Sequence, residues 1–238
     1  MKKFWEIKAA AEKVGDIYIY GRIVGYRWND DDVTVRSFKD DLDALGDIDT
    51  LNLYVNSPGG SVFTAQTIYS ILKRHSAVKN AYVDGLAASA ASFLIMAADK
   101  IHIPKNATMM IHNPMTYAYG NSTELRKEAD VLDKVEVGMI AAYMSHIGDT
   151  ITEEKLKELL DAESWLTAQE CVDYGLADEL IEEKNVAACI DSDLIARYKN
   201  VPEFLIQNRS ESLDEARAKK IIELSQAVID RVNQTLKL

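Results

Sequence analysis

Cysteine is almost missing from this chain: Cys171 and Cys189 are the only two in 238 residues, and their spacing fits no metal-ligand pattern. A zinc site has no support, and so few thiols suit a reducing compartment without demanding one. Positive charge is also scarce. Lys and Arg number 27 against 38 Asp and Glu, a formal net charge of -11, which argues against a phosphate backbone or an anionic membrane surface as partner. No apolar run reaches the roughly 18 residues of a membrane span. The N-terminal MKKFWEIKAAAEK is amphipathic and charged, without the apolar centre of a signal peptide. There is no internal repeat. These absences point to a cytoplasmic protein that engages neither nucleic acid nor membrane. At 47% hydrophobic, the chain can still bury one substantial core.

Short β-rich runs, IYIYGRIV (17–24) and LNLYVN (51–56), read as strands, the second with Leu51, Leu53 and Val55 alternating with Asn52, Tyr54 and Asn56. Between them Val35, Phe38, Leu42 and Leu45 recur at helical spacing, and after Gly60 so do Val62, Ala65, Ile68 and Leu72. Strand, helix, strand, helix is the pattern of a crossover α/β fold. KNAYVDG and KIHIPKNATMMIHNP supply further strands, the second with a proline that suits an edge or a turn. Asn121, three residues before Glu124, opens a helix of about 25 residues in which Leu125, Leu132, Val135, Met139, Tyr143 and Ile147 form the apolar stripe. At 1.5 Å per residue it would run roughly 37 Å, longer than the domain's own core needs, so a protruding, partner-seeking helix is expected. TITEEKLKELL and AQECVDYG start two more helices, and GLADELI returns to the sheet. After Lys184 a polar, helix-prone tail follows, with Ala216, Ile221, Leu224, Ala227, Ile229 and Val232 as its apolar positions.

Three pieces could carry chemistry. In NSPGGS (56–61), Gly59 and Gly60 allow backbone conformations and close approaches that a Cβ would obstruct, so a peptide N–H there can face a ligand oxygen. In GLAASAAS, Ser89 sits at a helix start, where the helix field favours developing negative charge and the Ala90 N–H would be a second donor. Ser92, one turn on, reads as structural. His112 ends the apolar strand MMIHNP, where a general base can be held in one orientation. Each piece also has an ordinary reading: a tight turn, a packing serine, a satisfied histidine. His75, His102 and His146 lie at a solvated helix end, in an alternating strand and at a helix terminus, and none suggests catalysis.

Taken in order, LYVNSPGGS, GLAASAASFLI, MMIHNP and LTAQECVDYGLAD resemble the ClpP family of serine peptidases, over roughly residues 17 to 181. The resemblance implies Ser89 as nucleophile, His112 as general base, and the backbone N–H groups of Gly60 and Ala90 as the oxyanion hole. It places the third triad member at Glu163, where the family has an Asp. A Glu can equally accept the histidine Nδ1 hydrogen bond. Asp161, two residues earlier, would serve only if the loop were shifted.

The resemblance further implies an α/β crotonase-like ββα superhelix with a protruding long helix and a helical C-terminal tail. Its expected division is a short N-terminal segment (1–16), a peptidase domain (17–183) and a helical extension (184–238). It implies no metal, nucleotide or other cofactor, protein or peptide substrates, and a homo-oligomeric ring, a heptamer or a tetradecamer. With about 15 residues ahead of the first strand, the axial gate is expected to be shortened or absent, which leaves the need for an AAA+ unfoldase open. This plan is most similar to the ClpP-related proteases of phage and prophage heads, which process capsid or scaffold proteins in the host cytoplasm or the prohead. Two other classes share features: a shell or scaffold protein that keeps the fold without catalysis, and an acyl-CoA-binding crotonase relative.

Overall fold

The computed structural model describes residues 3–25, 35–183 and 192–203. The tail positions between Ala216 and Val232, and Cys189, lie outside them. Residues 1–200 form one compact unit and residues 201–238 a second.

The frame of the first unit is a mostly parallel sheet in the order β1-β2-β3-β4-β5-β8: β1 (Trp5–Ala11), β2 (Val14–Tyr20), β3 (Thr50–Ser57), β4 (Val78–Ala88), β5 (Lys100–Pro104) and β8 (Glu179–Ile181). β1 pairs antiparallel with β2, and every later pair along this path is parallel. Parallel neighbours need crossovers. Helix α1 (Val35–Asp43) lies between β2 and β3 in the chain, and α2 (Val62–Arg74) between β3 and β4. Phe38, Leu42, Ala65, Ile68 and Leu72 join Leu51, Leu53, Val55, Ala81 and Val83 in one buried core. On the other face the register lines up Tyr18, Tyr54, Tyr82 and His102 as a stack of rings.

β1 departs from the sequence reading, which left residues 5–11 in a segment ahead of the first strand. As an edge strand it buries little beyond Trp5, so its exposed Ala9, Ala10 and Ala11 show no period of two.

The strand that matters for the site is β4. Its first half pairs with β5, through Asn80 to Tyr82, and its second half, Leu86 to Ala88, pairs instead with β6 (Thr108–Ile111). β4 thereby runs past β5 and delivers its C-terminal end to helix α3 (Ala90–Ile95). On its other side β6 pairs antiparallel with β7 (Ser164–Thr167).

The long helix is α4 (Ser122–Ile147), 26 residues. Asn121 caps it with a full capping box: its side chain accepts from the Thr123 and Glu124 N–H groups, and Glu124 accepts from the Asn121 N–H. Its first three turns are exposed, so it protrudes. The apolar stripe is divided, however. Val135, Met139, Tyr143 and Ile147 are buried within the subunit, while the large apolar side chains it exposes are Leu125, Val131 and Val137. One face of the lower half is therefore core, so less of the apolar stripe is left for a partner than the expected partner-seeking helix would offer. Helices α5 (Glu153–Asp161), capped by Thr152, and α6 (Ala168–Asp173), capped by Thr167, lead back to β8. A short α7 (Ser192–Ile195) precedes residues 196–200. No helix among the described residues is long and apolar enough to cross a membrane.

Candidate active site

Ser89 occupies the single residue between β4 and α3, at φ 55° and ψ −123°, a left-handed conformation that non-glycine residues adopt only when their surroundings enforce it. The enforcement is visible. Its N–H donates to Met110 O at 2.8 Å, tying the end of β4 to β6. Its carbonyl accepts from Ser92 Oγ at 2.7 Å. Ser92 also reaches Met110 O at 2.9 Å and the Tyr143 hydroxyl at 2.8 Å. A single hydroxyl proton cannot serve all three contacts, so Tyr143 donates to Ser92, and Ser92 shares its proton between the two carbonyls. Burial holds the Tyr143 phenol far above its ordinary range, so it stays a donor. Ser92 is structural, as expected, and braces the turn. α3 has only six residues, so what it offers Ser89 is chiefly the Ala90 amide rather than a long helix field.

His112 follows directly after β6, 8% exposed, with Nε2 2.7 Å from Ser89 Oγ. Burial pushes its pKa below the ordinary 6.5, and the negative charge of Glu163 opposes that shift. The imidazole is consequently neutral at pH 7. In the tautomer with its proton on Nδ1, Nε2 accepts from Ser89.

The glycine turn faces the same place. Gly59 has φ 91° and Gly60 φ 144°. A Cβ on Gly59 would lie 2.6 Å from Ala88 O and 2.8 Å from Ser89 Cβ, and one on Gly60 only 2.1 Å from Ile23 O. Hydrogen bonds pin the turn: Ile23 N–H to Gly59 O at 2.8 Å, Ser61 N–H to Ile23 O at 2.9 Å, and Gly59 N–H to Ser57 Oγ at 3.1 Å. The Gly60 and Ala90 N–H groups have no acceptor among the described residues. Two free amide donors therefore flank the nucleophile candidate.

The carboxylates separate by register. β6 and β7 pair as Thr108↔Thr167 through Ile111↔Ser164, so one further antiparallel step sets Glu163 opposite His112. Glu163 is 8% exposed and also has a positive φ, 50°. Asp161 ends α5 in solvent and accepts from Asn113 Nδ2 at 2.6 Å. Glu163 Oε1 accepts from the N–H groups of Lys199 at 2.6 Å and Asn200 at 2.8 Å. No hydrogen bond or ion pair joins it to His112. Tyr198 sets its ring edge-on to His112, with centroids 5.2 Å apart. Residues 198–200 were invisible as site residues in the sequence, because no local pattern marks a chain segment that returns from more than 30 residues away.

A family model described as Clp protease matches residues 29–184, about two thirds of the chain. The chain belongs to the Clp protease family. Among its relatives are two proteins from strains of Bacteroides fragilis, each named ATP-dependent Clp protease proteolytic subunit. Both are 31% identical over 160 residues, which is 65% of this chain and 76% and 71% of theirs. Membership makes this chain a peptidase of the ClpP-type α/β fold. The match contains Gly60, Ser89, Ala90, His112, Asp161 and Glu163 and ends at 184, ahead of the segment that touches Glu163.

Proposed function

We propose that the protein is a serine endopeptidase with Ser89 as nucleophile, His112 as general base, Glu163 as the acid and the Gly60 and Ala90 amides as the oxyanion hole. The observation that carries this reading is the 2.7 Å contact between Ser89 Oγ and a neutral His112, set between two unengaged amides. Ser89 Oγ attacks the peptide carbonyl carbon while its proton moves to His112 Nε2. The carbonyl oxygen becomes an oxyanion, which the two N–H groups receive. Collapse breaks the C–N bond, and the leaving amine takes the proton from His112. Water then repeats the sequence on the acyl-enzyme and frees Ser89. Glu163 stabilises the imidazolium of each step when it accepts from Nδ1.

The chemistry requires neither metal nor nucleotide. We further infer a homo-oligomeric ring, heptamer or tetradecamer, in which the exposed apolar positions of α4, Leu125, Val131 and Val137, meet other copies. Processing of capsid or scaffold proteins during head maturation is the biological role we infer by analogy with the phage-head proteases, which the stretch following the matched family region resembles in plan.

A fluorophosphonate probe followed by peptide mass mapping tests the reaction. The expected adduct is on Ser89, and its absence from Ser89 in folded protein refutes the assignment. Incubation with purified phage-type capsid and scaffold proteins tests the role: discrete cleavage that Ser89→Ala abolishes supports it, and intact proteins refute it.

A further inference from the structure

The segment on Glu163 lies beyond the family match, yet it spans the whole site. At one end the Tyr198 hydroxyl donates to Pro58 O at 2.9 Å, in the same turn as Gly59 and Gly60. In the middle the Tyr198 ring, itself 6% exposed, covers the His112 ring and lies 6.0 Å from that of Trp165. At the other end two successive N–H groups converge on Glu163 Oε1, and Asn200 Nδ2 donates to Ala162 O at 2.8 Å. Hydrogen bonds from N–H groups to an ionised carboxylate are among the stronger ones in proteins. They engage the oxygen of a side chain that the β6–β7 register sets opposite the base, and the base has no hydrogen bond to it. Ser89 and His112 remain paired, and Ser89 remains half-exposed. The nucleophile is thus not walled off, while one oxygen of the acid candidate is held by the segment and none is hydrogen-bonded to the base.

We propose that residues 198–200 are an intramolecular latch on the active site, anchored by Tyr198, which keeps Glu163 from His112 until the segment lifts. The proposal rests on the triad reading above. Lifting the segment frees Glu163 Oε1 and lets the carboxylate accept from His112 Nδ1. Tyr198 and the two amides act through Glu163 and are positioning groups.

The test uses the full chain with a small fluorogenic peptide and a fluorophosphonate probe. Two latch variants are compared: Tyr198→Ala removes the anchor, and Asn200→Pro removes one N–H donor while the tyrosine stays. Both are expected to raise kcat and the labelling rate by about tenfold, the factor carried by one net hydrogen bond, with KM little changed. Adding Glu163→Gln to either variant is expected to erase the gain, which mere uncovering of His112 would not do. A gain that survives Glu163→Gln overturns the latch, as does unchanged or lower kcat in both folded variants. If Tyr198→Ala fails to fold, Asn200→Pro decides alone. Labelling that persists in Ser89→Ala refutes the site reading itself, whereas labelling that needs Ser89 but ignores both latch variants refutes the latch only.

Discussion

Replacing Gly60 by alanine perturbs the proposed oxyanion hole through a single methyl group. The added Cβ would stand 2.1 Å from Ile23 O and 2.9 Å from Ile23 C, backbone atoms that Ser61 N–H and Ile23 N–H hold in place. An ordinary carbon to oxygen contact is about 3.3 Å, so the turn has to move by roughly 1 Å, and the Gly60 amide moves with it. A shift of that size, or loss of one oxyanion donor, costs roughly 10²- to 10³-fold in kcat, about 2.7–4 kcal/mol of transition-state stabilisation. The φ of 144° adds strain of about 1–3 kcal/mol for an L-residue, equivalent to a Tm lower by roughly 2–12 °C. Steady-state hydrolysis of a short peptide, together with a thermal melt, separates the two effects. Gly46→Ala is the control: it has a positive φ of 70° but nothing within 4 Å of its Cβ, so it should lower Tm without lowering kcat. A folded Gly60→Ala enzyme with kcat within about twofold of wild type would refute the reasoning, since the amide cannot stay in place beside that methyl.

Glu163→Gln is expected to lower kcat by roughly 10²- to 10⁴-fold, the upper figure being that of a neutralised triad carboxylate, while Asp161→Asn costs less than about tenfold; the reverse ranking in steady-state assays would move the acid to Asp161. Because burial lowers the His112 pKa and the base must be neutral, activity should rise with pH through a midpoint below 6.5. Removing the charge of Glu163, which raises that pKa, should move the residual activity's midpoint lower still, and a shift to higher pH would contradict the assignment. Light scattering is expected to show a multi-subunit assembly that Val137→Asp, at an exposed position on α4, weakens; a fully active monomer would contradict the proposed ring.

Much of this architecture is legible without coordinates, because local chemistry dictates it. The alternation of Leu51, Leu53 and Val55 specifies β3, and Asn121 with Glu124 specifies the start of α4, since each signal is complete within a few residues. Gly60 stands out for the same reason, since glycine tolerates that turn, and Ser89 stands out by its place at a helix start, whereas its strained backbone does not show in the sequence. What was not legible depends on distant partners. Edge strand β1 shows no alternation because beyond Trp5 and Ile7 neither of its faces is buried. The burial of Met139 and Tyr143 inside the subunit depends on what α4 packs against, which a helical stripe cannot specify. The choice between Glu163 and Asp161 needs the β6–β7 register, a pairing between segments about 55 residues apart. Most hidden was Tyr198, whose bond to Pro58 O closes a separation of 140 residues.

The central claim, acyl transfer through Ser89, is tested most directly by Ser89→Ala. Among the described residues the Oγ makes one hydrogen bond, to His112 Nε2, and it makes no cap bond to α3, so the variant should melt within about 2 °C of wild type. Measured on a disordered protein such as casein, with and without nucleotide, its hydrolysis should fall to background. Cleavage by the purified variant at the wild-type rate would contradict the account.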